Sequence, residues 1–182
     1  MKKLLLLSGL AIFVIACDSP EKKTNSTETT PVEAAKVDYP YTLDHPYQNW
    51  QPGDPNNTIV VMKMLKAWET KNLAECVSFF GDSVDMRLDG YHKVLPHDSI
   101  MGLLESTWKD MASYKIKMED WESVVSADKK EEWVTVWYKQ YSTDAKGKMD
   151  SVNNINDVKM VNGKIAVFDE KTQHYPAPVA KK

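Results

Sequence analysis

Glu132-Trp133-Val134-Thr135-Val136-Trp137-Tyr138-Lys139-Gln140-Tyr141-Ser142 is dominated by β-branched and aromatic residues. Such residues suit a pleated, half-buried surface. Successive side chains of a strand point to opposite faces. Trp133, Thr135, Trp137, Lys139 and Tyr141 therefore share one face, and Val134, Val136 and Tyr138 share the other. Upstream, across the polar turn Asp128-Lys129-Lys130, Tyr114 to Ala127 reads as another long strand. Downstream, Asp144-Ala145-Lys146-Gly147 is a turn into Met149–Val161. That segment is joined to Lys164–Gln173 by Asn162-Gly163, a two-residue hairpin signal. The carboxyl half is thus a four-strand antiparallel meander.

Before Tyr114 the hydrophobic period is helical. Val61, Leu65 and Trp68 lie at spacings of four and three, which predicts a helix from about Thr58 to Thr70. Leu73, Cys76, Val77 and Phe80 form an i, i+3, i+4, i+7 stripe. Asn72 and Glu75 open it like a capping box, and Gly81 stops it. Ser83–Leu88 reads as a short strand and Asp89-Gly90 as a turn. A third helix is expected over Asp98–Met111, with Met101, Leu104, Trp108 and Met111 on its face. Helices followed by a run of strands predict one α+β domain over residues 58–175. No internal repeat is present.

Residues 39–57 hold Tyr39, Tyr41, Tyr47 and Trp50 among prolines 40, 46, 52 and 55. Prolines keep this segment extended, and aromatics contribute most when buried. It reads as a strap that lies across the domain and buries its rings, or as a lid or an exposed ligand platform. Residues 18–38 have no aromatic side chain and little branched apolar content, so they read as a tether. A flexible linker of that length reaches about 25 Å. Residues 176–182 read as a carboxyl-terminal tail.

At the amino end, Lys2 and Lys3 precede thirteen mostly apolar residues, Leu4–Ala16, and then Cys17. The run is shorter than the ~20 residues that span a bilayer as a helix. A charged start, a short apolar core and a small residue before cysteine resemble a bacterial lipoprotein signal. The resemblance implies removal of residues 1–16, lipidation of Cys17, and a protein held to a membrane of the cell envelope by that lipid, facing the periplasm or exterior. With Lys2 and Lys3 gone, 21 basic residues face 26 acidic ones, a net charge of −5. That balance argues against nucleic acid, whose phosphates are neutralised by Lys and Arg. Cys76 is then the one unmodified cysteine, so neither an internal disulfide nor a CxxC site can form. It reads as a small buried hydrophobe.

Two helices over Thr58–Phe80 followed by Gly81-Asp82-Ser83-Val84-Asp85-Met86-Arg87-Leu88-Asp89-Gly90 resemble the opening of the nuclear-transport-factor-2-like (NTF2-like) superfamily, which includes SnoaL-like domains. The resemblance covers about Thr58 to His174. It implies a cystatin-like cone: three N-terminal helices packed on a curved, mainly antiparallel sheet, with a pocket at the wide end and frequent homodimers. It does not imply one activity, because the superfamily spans isomerases, cyclases, epoxide hydrolases, dehydratases and non-catalytic modules.

Two residue clusters offer a site. Trp68, Tyr91, Trp108, Trp133, Trp137 and Tyr141 are candidate walls for a small apolar or aromatic ligand. Asp85, Asp89 and His92 are the candidates for a general base, if the cone is that of an isomerase- or cyclase-type enzyme. Asp85, Arg87 and Asp89 share one strand face, which is either inside the cone or a solvated charged surface. Asn153-Asn154-Ile155-Asn156-Asp157 is polar for a central strand and reads as a bulge or edge, or as amides aimed into the cone. His45, His92, His97 and His174 show no metal-ligand spacing, and no phosphate loop, nucleophile elbow or dinucleotide fingerprint occurs. No metal or cofactor is expected. The functional expectation is a lipid-anchored binding or dimeric interaction module, with an enzyme or a structural envelope protein as the alternatives.

Overall fold

The computed structural model describes residues 39–44, 46 and 48–175. The expected signal peptide, Cys17, the tether to residue 38, His45, Tyr47 and the tail 176–182 lie outside the described residues. In chain order the elements are β1 (Gln51–Pro52), α1 (Pro55–Glu69), α2 (Leu73–Ser78), β2 (Phe80–Leu88), β3 (Tyr91–Pro96), α3 (His97–Trp108), β4 (Met111–Val125), β5 (Glu132–Asp144), β6 (Met149–Val161) and β7 (Lys164–His174). Among the described residues, no helix is long and apolar enough to cross a membrane.

The strands form one sheet in the order β1-β4-β5-β6-β7-β2-β3. The expected meander is β4 to β7, paired antiparallel in sequence. The sheet is mixed, because β2 runs parallel to β7. β2 thereby satisfies the backbone edge that the last strand of the meander leaves open. Register shifts at Met118/Asp120 in β4 and Lys159/Met160 between β6 and β7 mark bulges. A bulge bends its strand and increases its twist, which curves a long sheet.

The expectation of three N-terminal helices is corrected. All three helices lie after residue 50, β1 precedes them, and the β2–β3 hairpin separates α2 from α3. β3 was not expected as a strand. Its turn depends on Gly90, whose φ of +69° lies in the left-handed region that glycine enters without penalty. α1 starts earlier than Thr58 because Asp54 caps it, accepting from the Asn56 N–H at 2.8 Å with Pro55 in the first turn. α3 ends at Trp108 and buries Ile100 and Trp108, leaving Met111 to begin β4.

All three helices pack on one face of the sheet. Val61, Met64 and Leu65 of α1, Cys76 of α2 and Ile100 of α3 meet Val84 and Met86 of β2, Val134, Val136 and Tyr138 of β5, Val158 and Met160 of β6, and Ile165 and Phe168 of β7. The face of β5 that enters the core is therefore the valine face. Trp133, Trp137 and Tyr141 point to the outer side.

The strap is held by its backbone rather than by its rings. The Ala127 N–H donates to the Gln48 carbonyl at 3.0 Å, and the Gly53 N–H donates to the Ser123 carbonyl at 2.8 Å. Tyr39 and Tyr41 are exposed and Trp50 is partly so. The expectation of a strap that buries its aromatics is corrected for these residues.

Candidate functional site

A cavity of about 130 Å³ opens between the helices and the inner face of the sheet. Leu65 and Trp68 reach it from α1, and Leu103, Leu104 and Thr107 from α3. The sheet contributes Met86 and Leu88, Tyr114, Tyr138 and Gln140, and Phe168 and Glu170. Alternation puts them there. Once Val134, Val136 and Tyr138 face inward, Gln140 must follow, and with Phe168 inward so must Glu170. Trp68, Trp108 and Tyr114 form one aromatic knot. Trp68 lies 5.5 Å from Trp108 and 5.0 Å from Tyr114, and Trp108 meets Tyr114 edge-on at 4.8 Å. Edge-on and tilted pairs of this kind add about 0.5–1.5 kcal/mol beyond area burial.

The polar part of the wall is a network around Tyr138. The Tyr138 hydroxyl donates to Glu170 Oε2 at 3.1 Å. It accepts from Asn154 Nδ2 at 3.3 Å and from Asn156 Nδ2 at 3.1 Å. One donor and two acceptor positions are all that a hydroxyl has, so this one is saturated. Asn154 Nδ2 also lies 3.3 Å from Glu170 Oε2. Burial pushes the Glu170 carboxyl above its ordinary value, the Tyr138 hydrogen bond pulls the other way, and the Asp89 charge adds to the rise. Burial, then the Glu170 charge, pushes Tyr138 and Tyr114 up as well. The Cys76 thiol, also on the wall, is pushed up to about 12 by burial and the nearby Glu75, which leaves it a poor nucleophile.

Trp68 lines the cavity, and Trp108 stands directly behind it. Tyr91 sits on β3, packed against the core but not on the cavity wall. Trp133, Trp137 and Tyr141 are corrected as cone walls: they occupy the opposite face of β5. Trp133 instead donates its Nε1–H to Glu131 Oε2 at 3.1 Å, beneath Lys159. Asp85, Asp89 and His92 are corrected as bases inside the cone. Val84, Met86 and Leu88 take the core side of β2, so the alternate positions face outward. There Asp85 is bound by Arg87 Nε at 3.0 Å and by His92 Nε2 at 2.8 Å. Hydrogen bonds from Arg87 above all, then from His92, hold its carboxyl below the usual range. Asp89 pairs with His174 at 2.7 Å, exposed, in the β2–β3 turn. Asn154 and Asn156 belong to an interior strand and point inward, so the bulge-or-edge reading of that run gives way to amides in the cone.

Glu170, Tyr138 and Gln140 were absent from the expected site. The available signal was the parity of β5 and β7, with a carboxylate on the apolar face two residues after Phe168. Among the described residues, no group of three His, Cys, Asp or Glu side chains is placed to hold a metal ion. The arrangement can enclose a small apolar body and present to it one carboxyl able to hold or release a proton.

No protein-family model matches the chain, and no curated protein matches it. Solved structures do. An NTF2-like protein of Burkholderia pseudomallei superposes with a TM-score of 0.54 at 15% identity, covering 65% of this chain and 91% of that one. An LEH-like epoxide hydrolase of M. tuberculosis gives 0.52 at 12% identity, over 65% and 84%. TerC, co-crystallised with polyporic acid, gives 0.53 at 13% identity, over 65% and 92%. The described domain therefore has the nuclear-transport-factor-2-like fold.

Proposed function

We propose that this chain is a lipid-tethered, extracytoplasmic binding module whose cone takes one small molecule with a ring-sized apolar body. The observation that carries the reading is the cavity of about 130 Å³, walled by Trp68, Tyr114, Phe168, Met86 and leucines around a single carboxyl. An apolar cavity of ~150 Å³ is large enough to take benzene. TerC, similar in fold alone, was co-crystallised with polyporic acid, which supports a ligand-holding cone here. Lys2, Lys3, the apolar run Leu4–Ala16 and Cys17 support the tether.

One observation favours a second reading, an enzyme of proton-transfer type. Glu170 has a raised carboxyl beside the Tyr138 hydroxyl in a partly desolvated site, which is the environment that tunes a general base. In that reading Glu170 takes the role first considered for Asp85, Asp89 or His92.

Methyl-labelled methionine reports on the binding reading directly, because Met64 and Met86 line the cavity and Met149 is exposed. Indole and cyclohexanol at about millimolar concentration, a typical weak-binding range, should shift the methyl resonances of Met64 and Met86 and leave that of Met149 in place. Leu104→Phe, which fills the cavity, should abolish the shifts. No movement at Met64 or Met86 with either compound refutes the reading.

A further inference from the structure

We infer that the ligand of the cone is a small organic cation, an amine whose ammonium group sits at Glu170 and whose apolar body lies among Trp68, Tyr114 and Phe168. The inference rests on the binding reading above and names the chemical class that this site would select.

The first argument is charge. Among the described residues, Glu170 is the one charged side chain on the cavity wall, which carries no Lys, Arg or His. Of the neighbouring cations, Lys71 lies over the Trp108 ring at 5.0 Å without lining the cavity, and the others form ion pairs. Arg87 pairs with Asp85 and Asp169, and Lys171 with Asp157 and Asp169, all on the outer side of the sheet. His174 pairs with Asp89. A carboxylate buried without a counter-charge is costly, and a cation entering the same chamber removes that cost.

The second argument is a census of donors and acceptors. The Tyr138 hydroxyl spends its one proton on Glu170 Oε2. Asn154 and Asn156, at 2% and 0% exposure, spend their amide N–H groups on Tyr138 and Glu170, and their Oδ1 atoms have no partner. Hydrogen bonds to Glu170 end on Oε2 alone, leaving Oε1 free. Among the described residues this leaves three acceptor atoms open around Glu170, its Oε1 and the two Oδ1 atoms, while the spare donors are the second Asn156 N–H and the Trp108 Nε1–H in the aromatic knot. An ammonium group brings three N–H donors and no acceptor. A carboxylate ligand brings the reverse and would meet Glu170 as a like charge.

The third argument is the wall itself. Trp68 and Tyr114 stand 5.0 Å apart beside the cavity. The face of an indole or phenol ring attracts a cation within about 6 Å. The titratable groups facing Glu170 are Tyr138 on β5, Tyr114 on β4, Cys76 on α2, and Asp89 at the β2–β3 turn with its partner His174 at the end of β7. None of the cavity-wall groups is a cation.

The test is calorimetric titration of the full chain in phosphatidylcholine nanodiscs, with empty nanodiscs subtracted, using benzylamine, benzyl alcohol, acetophenone and benzoate as probes. Benzylamine should bind at least about tenfold more tightly than the alcohol or the ketone, and benzoate should not bind. Tenfold corresponds to ~1.4 kcal/mol. Glu170→Gln should erase the preference for the amine over the alcohol. A measurement on the unaltered chain guards against misfolding of that variant. Repeated at about pH 4, below the ordinary carboxyl value of 4.5, in two buffers of different ionisation enthalpy, benzylamine should release a proton as Glu170 ionises against it, and benzyl alcohol should release none. Equal binding of amine, alcohol and ketone, or release of no proton by the amine, overturns the cation inference and leaves a neutral-ligand cone. Binding of none of the four overturns the binding reading, and the cation inference with it.

Discussion

Tyr138→Phe removes a single oxygen from the centre of the domain, and its cost can be worked from the geometry. The hydroxyl makes contacts of 3.1, 3.3 and 3.1 Å with Glu170, Asn154 and Asn156. After truncation, Asn154 Nδ2 and Glu170 Oε2 still have each other at 3.3 Å. Asn156 Nδ2 loses its partner inside a side chain with no exposure. An orphaned buried donor costs about 1–3 kcal/mol, and the lost bond to Glu170 adds about 1. We expect a loss of about 2–4 kcal/mol, with the phenyl ring otherwise packing as before. Urea unfolding followed by tryptophan fluorescence reads this directly. With a slope of about 2 kcal/mol/M, the midpoint should fall by about 1–2 M. The decisive control is Asn156→Leu in the Tyr138→Phe background. Replacing both partners by apolar groups is close to neutral, so the double variant should recover at least about 1 kcal/mol relative to Tyr138→Phe alone. A Tyr138→Phe shift under about 0.3 M, or further loss in the double variant, would refute the view that this network is closed and buried.

Other expectations follow from single features. Because the Glu170 carboxyl is raised in the folded state from an ordinary value near 4.5, the folded form holds that proton more tightly than the unfolded chain. Its contribution to stability is therefore fully present at or below that ordinary value, declines as pH rises through the raised one, and then levels. Glu170→Gln should flatten this decline in a pH series of urea midpoints, and an unchanged pH profile would contradict the assignment. Gly53→Ala should loosen the strap, because an added Cβ would stand 2.5 Å from Ser123 Oγ and 2.8 Å from the Val124 nitrogen. A loss of about 1–3 kcal/mol is expected, with amide exchange accelerating first at Ser123–Val125. Cys17→Ser should move the protein from the membrane pellet to the soluble fraction, or leave it uncleaved, and unchanged lipid labelling would refute the tether.

The parts of the fold that were legible in the sequence are those where local chemistry and tertiary packing agree. Asn162-Gly163 and the alternation in β5 announced the meander, and the α1 and α2 stripes became helices that pack as expected. β3 escaped notice because Tyr91-His92-Lys93-Val94-Leu95-Pro96 has no clean alternation and is an edge strand, where one neighbour suffices. The site was misread at one decision, which face of β5 looks inward. Three bulky aromatics competed with two valines and a tyrosine, and ring size argued for the wrong side. Burial favoured Val134 and Val136, which fit beneath the helices, while Trp133 found Glu131 and Lys159 outside. That one inversion carried Trp137 and Tyr141 outward and hid Gln140. On β2 the apolar positions decide more plainly, and Asp85 follows them to the surface.

The place where the strap joins the sheet has a directional consequence. Gln51 lies against Val125, and Val125 in turn pairs with Glu132 at the start of β5. Gln140, on the cavity wall, lies eight positions further along that strand, on the order of 27 Å at about 3.4 Å per residue. Glu170 is nearer: through Asn156 it is level with Val136, four positions along β5 from Glu132. A pull on Gln51 would therefore load the β1–β4 and then the β4–β5 backbone pairs before it reached the chamber.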